Sequence, residues 1–172
     1  MAEAYLRFEP SDGLSATEPD WSREAKKFFE WAPSRSLLAA IRSYQRHATR
    51  GILFAPLRKL AVLRHHFWSV VTGAEIPLTC KIGGGLLLPH PSGVVIHGEC
   101  EIGPNCLIFQ GATLGLRRDG VPRVGGHVDI GAGAILLGKI TVGDNCRIGA
   151  HALVLDNVPH GGTVIAPTAR LL

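Results

Sequence analysis

His90 stands between two prolines in the run Leu88-Pro89-His90-Pro91-Ser92-Gly93. Proline fixes its own φ and narrows the choices of the residue before it, so the ring is presented at little further entropic cost. A neutral imidazole titrates near neutral pH and can take a proton from a hydroxyl as that hydroxyl attacks a carbonyl. Such a base works better when a carboxylate holds its tautomer and steadies the imidazolium. Glu75, fifteen residues earlier, is the candidate for that role. A lone loop histidine is often a solvent-exposed bystander. An out-of-pattern position and an acid about one repeat-turn back favour catalysis.

The remaining histidines carry less. His65 and His66 fall in a helical stretch as surface or capping residues. His97, His127, His151 and His160 fall on turns where polar groups face outward, and His97 leads them because it follows the His90 run closely. No pair combines metal-ligand spacing with a third donor, so no metal is expected. Ser92 lacks a Gly-x-Ser-x-Gly setting and the cysteines occupy apolar places, so there is no nucleophile motif. The expected chemistry is direct transfer between two bound substrates without a covalent enzyme intermediate.

A repeat positions His90. An aliphatic residue opens each six-residue unit at Ile76, Ile82 and Leu88, then Ile96, Ile102, Ile108 and Leu114, then Val124, Ile130, Leu136, Val142, Ile148 and Val154. Four places after an opener stands a small or medium apolar residue, as at Cys80, Cys100, Cys106, Ala112, Ala134, Cys146 and Val158. A helix demands a period near 3.6 and a free strand a period of 2, so a beat of six marks a parallel β-helix. The opener fills the interior, the small residue fits a corner, and a following glycine relieves the turn. The expected fold class is mainly β, a hexapeptide-repeat parallel β-helix with a short N-terminal α-helical segment. The beat breaks twice. Leu88 to Ile96 is eight residues, and Leu114 to Val124 is ten, which makes a loop of Leu116-Arg117-Arg118-Asp119-Gly120-Val121-Pro122-Arg123. Insertions in repeat arrays map to loops on a binding face. Gly131-Ala132-Gly133-Ala134 offers small residues against which a long ligand can lie.

The 172 residues make one domain, or one domain with a small appendage. Twenty-one glycines with 19 % charged residues suit a glycine-punctuated solenoid better than a helical protein. The net charge of +4 comes largely from Lys and Arg between Arg23 and Arg64. Such a run is ordinarily a solvated face, and anionic lipid or polymer ranks ahead of DNA as a partner for it. Aromatics are few and lie almost all before residue 70, which argues against base stacking and against nucleic acid. All four cysteines fall at the fourth place of a hexad and read as small interior residues, reduced and unbridged. Met1-Ala2-Glu3-Ala4-Tyr5 lacks the order of a signal peptide, and no apolar run approaches a membrane span. The expected compartment is the cytoplasm.

Residues 1–73 are expected to form an N-terminal arm and helical segment, and residues 74–172 the β-helix with a C-terminal strap. Residues 1–19 read as a loosely ordered arm. Asp20 or Ser22 can cap a short helix through Glu30 that Pro33 ends, and Ser34 or Ser36 can cap a second with Leu37, Leu38, Ile41 and Tyr44 on one face. A third helix spans about Ala55 to Thr72, with Pro56 in its first turn and Gly73 as its stop. Its stripe of Leu57, Leu60, Ala61, Leu63, Arg64, Phe67, Trp68 and Val71 is expected to lie on the first coil or a neighbouring subunit, covering the solenoid end. From Thr163 the chain is expected to leave the beat and strap down the final coil.

Three ordered blocks resemble the serine O-acetyltransferase family. They are Ile82-Gly83-Gly84-Gly85 with Pro89-His90-Pro91-Ser92-Gly93-Val94-Val95-Ile96, then Leu107-Ile108-Phe109-Gln110-Gly111-Ala112-Thr113-Leu114-Gly115, then Ile130-Gly131-Ala132-Gly133-Ala134 with Leu137-Gly138-Lys139-Ile140. The resemblance implies a left-handed parallel β-helix, trimers with active sites shared between adjacent subunits, and acetyl-CoA as donor. It implies His90 as the catalytic base and Glu75 where the family has a partner aspartate. Ala132, Ala150 and Arg147 match positions near the coenzyme A pantetheine and phosphates, the last usually lysine. Gly115 falls where backbone amides approach the thioester.

The chain also departs from the family pattern. The family writes Asp-His-Ala-Thr-Gly at the base, and Pro89 replaces that aspartate. An Asp-Arg-His-Pro-Lys segment that helps grip serine reads here Asp119-Gly120-Val121-Pro122-Arg123. The helical N-terminal domain reads as shorter than the family's, and no tail that docks cysteine synthase is expected. These departures spare acetyl transfer and move the expected acceptor from L-serine to a sugar hydroxyl, as in short relatives associated with exopolysaccharide synthesis. The expected activity is acetyl-CoA-dependent O-acetyl transfer, with Arg117, Arg118 and Arg123 near the acceptor and backbone amides stabilising the oxyanion. The assembly expected is a homotrimer or a pair of trimers. Two other readings stand beside it: L-serine as acceptor, feeding cysteine biosynthesis, and a non-catalytic trimeric scaffold.

Overall fold

The computed structural model describes residues 13–27, 30–118 and 120–169. Residues 1–12 of the expected arm, Asp119 of the second insertion and residues 170–172 of the expected strap lie outside that set. From Glu75 the chain winds as a parallel β-helix with three flat faces. The first face stacks β1 (Lys81–Ile82), β3 (Glu101–Ile102), β6 (Arg123–Val124) and β9 (Thr141–Val142). The second stacks β4 (Leu107–Ile108), β7 (Asp129–Ile130), β10 (Arg147–Ile148) and β12 (Thr163–Val164), below Leu87, which bridges to Leu107. The third stacks β2 (Val95–Ile96), β5 (Thr113–Gly115), β8 (Ile135–Leu137) and β11 (Leu153–Val154).

The register explains why the six-beat works. Val124 pairs with Val142 and Ile130 with Ile148, steps of eighteen, or three hexads to a coil. Each opener therefore lands on the opener of the next coil, and Ile96, Ile108, Leu114, Ile130 and Leu136 are fully buried. Burying each such side chain contributes about 1.5–3 kcal/mol. Ile82 pairs with Ile102, a step of twenty, and Ile102 with Val124, a step of twenty-two. The surplus loops out, and stacking resumes because buried Val94 and Pro122 refill the corner two places before the next opener. The repeat also runs further than its sequence beat. Val158 bridges to Val142 and Val164 pairs with Ile148, steps of sixteen, so Thr163–Val164 is a last rung of the second face and not a strap outside the sheet. The step from Val154 to Val158 is only four, and that shortened corner hides the continuation from a count of six.

Two helices cover the open end of the solenoid. α1 (Pro33–Ala48) begins at Pro33, which was expected to end the preceding helix; Ala32 is its N-cap, and no side chain caps it. Proline suits the first helical position because its missing N–H has no intrahelical partner there. Among the described residues the expected earlier helix is one 3-10 turn at Trp21–Glu24, where Asp20 accepts the Ser22 N–H. α2 (Ala55–Thr72) has the expected bounds, and Gly73 (φ 66) ends it by donating to Ser69 O. The helix that lies in the core is α1, through Leu37, Leu38 and Ile41, while Leu57, Leu60, Leu63 and Phe67 of α2 are exposed. The first coil has no neighbour below it, and an unpaired edge must find donors elsewhere. Gln45 Nε2 donates to Leu78 O and Cys80 O, Arg42 to Ile82 O and Gly83 O, and His65 Nε2 to Ile76 O.

The arm from residue 13 is ordered where it was expected to be loose. It runs along the edge between the first and second faces and is tied there by Asn105. Asn105 Oδ1 accepts the Asp20 N–H, and Nδ2 donates to Ser15 O and Glu18 O. Glu24 accepts N–H groups of Gly85 and Leu86 and pairs with Arg42 at 2.8 Å. Among the described residues, no helix is long and apolar enough to cross a membrane.

Candidate active site

The His90 insertion sits on the edge between the second and third faces. Every coil turns this edge at a left-handed residue: Gly73 (φ 66), Gly93 (71), Gly111 (68), Gly133 (67) and His151 (57). The turns are laddered together. Gly93 N–H donates to Gly73 O, Gly111 to Ser92 O, Gly133 to Gln110 O and His151 to Ala132 O, all at 2.8–3.0 Å. Ser92, Gln110, Ala132 and Ala150 thus stack as successive steps of one edge. Glycine at four of these turns accepts the left-handed φ, and two residues before one of them Gly131 lets backbone approach backbone, since a Cβ there would meet Ala150 N at 2.5 Å.

His90 and Glu75 lie at the first two steps of that edge. Glu75 bridges to Val95 across a register of twenty, donates its N–H to Val94 O and accepts from Ile96 N–H. Its backbone is therefore fixed beside the turn at Gly93, three residues past His90. Both side chains are exposed, and neither forms a hydrogen bond to any described residue. An exposed imidazole and an exposed carboxylate on neighbouring coils are the parts that a base and an orienting acid need.

The other candidates divide between positions. Ala132 and Ala150 share the His90 edge. Gly115 ends β5 on the far side of the third face, where the Arg117–Gly120 turn closes on itself and rests against Gly138 and Lys139 of the next coil. Arg117 and Arg118 are exposed on that second edge, so one whole face separates them from His90 within a chain. Arg123 lies on the first face in a charge ladder: Lys81 Nζ is 2.8 Å from Glu101 Oε1, and Arg123 Nε is 3.7 Å from Glu101 Oε2. The hydrogen bond from Lys81, with the charges of Lys81 and Arg123, holds the Glu101 carboxyl below its usual range. Arg147 is on the second face, paired in register with Asp129. His151, set aside in the sequence as an outward turn residue, occupies the His90 edge. The signal was available, because it is the third residue after its opener, as Gly111 and Gly133 are.

Cysteine chemistry does not contribute. All four thiols are free and buried, and burial pushes Cys80 and Cys106 up to about 12 and Cys100 to about 11. A thiol so raised is a poor nucleophile. Among the described residues, no group of three or more His, Cys, Asp or Glu is placed to hold a metal ion.

No family model matches the chain. A serine acetyltransferase of Helicobacter pylori (strain J99) is 43 % identical over 106 residues, 59 % of this chain and 62 % of that relative. Another, from Staphylococcus xylosus, is 41 % identical over 149 residues, which are 80 % of this chain and 69 % of the relative. The chain belongs to the serine acetyltransferase family. It spans only about three fifths of the Helicobacter relative's length. Solved structures of the family share its solenoid. A soybean serine acetyltransferase complexed with serine matches 81 % of this chain and 56 % of its own at a TM-score of 0.63 and 32 % identity. A serine acetyltransferase in complex with CoA matches 83 % of this chain and 58 % of its own at a TM-score of 0.67 and 31 % identity.

Proposed function

We propose that this chain transfers an acetyl group from acetyl-CoA to the hydroxyl of L-serine. The observation that carries the reading is the His90 turn, opening onto an edge of stacked small residues along which a long thioester donor can lie. His90 takes the proton of the serine hydroxyl as its oxygen bonds to the acetyl carbonyl carbon. The carbonyl oxygen becomes an oxyanion, held by backbone N–H groups such as those near Gly115 of the partner subunit, since one face separates Gly115 from His90 within a chain. Collapse breaks the carbon–sulfur bond, and the coenzyme thiolate leaves with the proton from the imidazolium. Glu75 orients His90, and Ala132, Ala150 and Arg147 line the donor.

L-serine is preferred over the sugar that the departures at Pro89, Gly120 and Val121 put first. The relatives are named serine acetyltransferases, and solved neighbours hold serine or CoA. Arg117 and Arg118 supply the cation that a carboxylate needs. They lie one face away from His90 in the same chain, so the reading includes a homotrimer, or a pair of trimers, in which a neighbour's Arg turn closes the His90 site. The outward residues of the third face support such an interface, since Val95, Ile135 and Leu153 are apolar and exposed by 37, 38 and 58 %. A reduced, cytoplasmic setting belongs to the same reading.

The test is thiol release from acetyl-CoA with L-serine and, in parallel, a panel of nucleotide sugars and oligosaccharides. Saturable release with L-serine is expected. Efficient release with a saccharide and none with L-serine would overturn the acceptor and restore the exopolysaccharide reading, while no release with any acceptor would favour a non-catalytic scaffold.

A further inference from the structure

His151 holds a place that its backbone does not favour. The two coils before it put glycine at the same turn, and His151 adopts their left-handed conformation at φ 57. A residue with a Cβ takes that conformation only at a steric cost. Packing gives no return, since the side chain is exposed and the ring makes no hydrogen bond to any described residue. The ring is nonetheless directed. A Cβ built on Gly133 would meet His151 Cε1 and Nδ1 at 2.6 Å, so the imidazole lies back along the edge, over the α-carbon of Gly133. It therefore occupies the track between Ala150 and Ala132, facing the His90 end.

Rungs of a sheet repeat at about 4.8 Å, so the ring stands two to three rungs, about 10–14 Å, from the turn that carries His90. A donor whose thioester is at His90 extends its pantetheine arm over that interval and brings its diphosphate to the far end. Arg147, on the second face just before the same turn, is the cation already assigned to that end. An imidazole N–H is a good donor to a phosphate oxygen, and a protonated ring a better one. We infer that His151 is a donor-binding residue, hydrogen-bonding the diphosphate of acyl-CoA. This rests on the acetyl-CoA reading above and adds to it a residue that neither the repeat nor packing requires.

His151→Gly is a clean perturbation, because glycine accepts φ 57 and the turn keeps its backbone hydrogen bond to Ala132. Isothermal titration with CoA should show binding about tenfold weaker than in the parent, the worth of one hydrogen bond to a charged group. The KM for acetyl-CoA should rise by a similar factor with kcat unchanged, while KM for acetyl-pantetheine, which lacks the diphosphate, should not move. His151→Asn, which also tolerates a left-handed turn and keeps a donor, should recover part of the loss. Unchanged CoA binding in His151→Gly, or equal losses with both donors, would overturn the assignment and leave the acetyl-CoA reading standing. A parent protein that fails to bind CoA would overturn both.

Discussion

Asn105 ties the N-terminal arm to the solenoid, and its removal has a calculable cost. The side chain belongs to a residue only 1 % exposed and makes three hydrogen bonds, from Asp20 N–H at 2.8 Å and to Ser15 O and Glu18 O at 2.7 and 2.8 Å. At about 1 kcal/mol net for each, Asn105→Ala forfeits about 3 kcal/mol. Asn105 also sits at φ 58, a conformation asparagine tolerates and alanine resists, which adds about 1 kcal/mol. The expected loss is therefore about 4 kcal/mol for Asn105→Ala. Asn105→Gly, which relieves the backbone but restores no hydrogen bond, should lose about 3 kcal/mol. The arm can also peel away and hydrate its own groups, so part of the loss should appear as arm release. Urea unfolding at one fixed protein concentration measures the first effect, and limited proteolysis between residues 13 and 24 the second. A loss under about 1 kcal/mol for Asn105→Ala, with the arm cleaved no faster than in the parent, would refute the assignment of Asn105 as the tie.

Other outcomes follow from the site and the core. His90→Ala should lower turnover by about 10²–10⁴-fold, the usual worth of a positioned base, with CoA binding retained. Glu75→Gln should cost less because it orients the ring and transfers no proton; a larger loss there than at His90 would reverse the two roles. The four buried thiols should resist a polar thiol reagent at pH 8 and react fully after denaturation; fast native labelling of all four would contradict their burial. Their raised pKa values also set an alkaline limit. The folded state keeps the thiols protonated, so this contribution is complete below the ordinary thiol range and is lost as pH rises toward the folded values of about 11 to 12. Over that window the slope is about 1.4 kcal/mol per pH unit for each thiol that ionises on unfolding, read from urea midpoints between pH 8 and 10. Midpoints that do not fall would refute it.

The coil interior was legible in the sequence because burial in a stacked repeat is a property of each residue's own place. Val124, Ile130 and Leu136 need only occur at the right step, and a chain that winds eighteen residues per turn puts them and the next coil's Val142, Ile148 and Val154 inside. The His90 insertion was visible for the same reason, as a local surplus against a fixed count, and Pro56 and Gly73 marked the ends of α2 through their own backbone preferences. What the sequence could not give was the partner of any polar group. Asn105 meets Ser15 across ninety residues, and α1 joins α2 in covering the first coil through Arg42 and Gln45, whose acceptors are carbonyl groups that every residue carries. The two insertions looked alike as interruptions, yet the winding sends His90 and the Arg117–Arg118 turn to different edges and draws Arg123 into a ladder with Glu101. Apolar periodicity reports which side of the chain is buried, and does so locally. Which polar groups meet depends on how many residues each coil consumes, and that sum is settled only when the whole solenoid has closed.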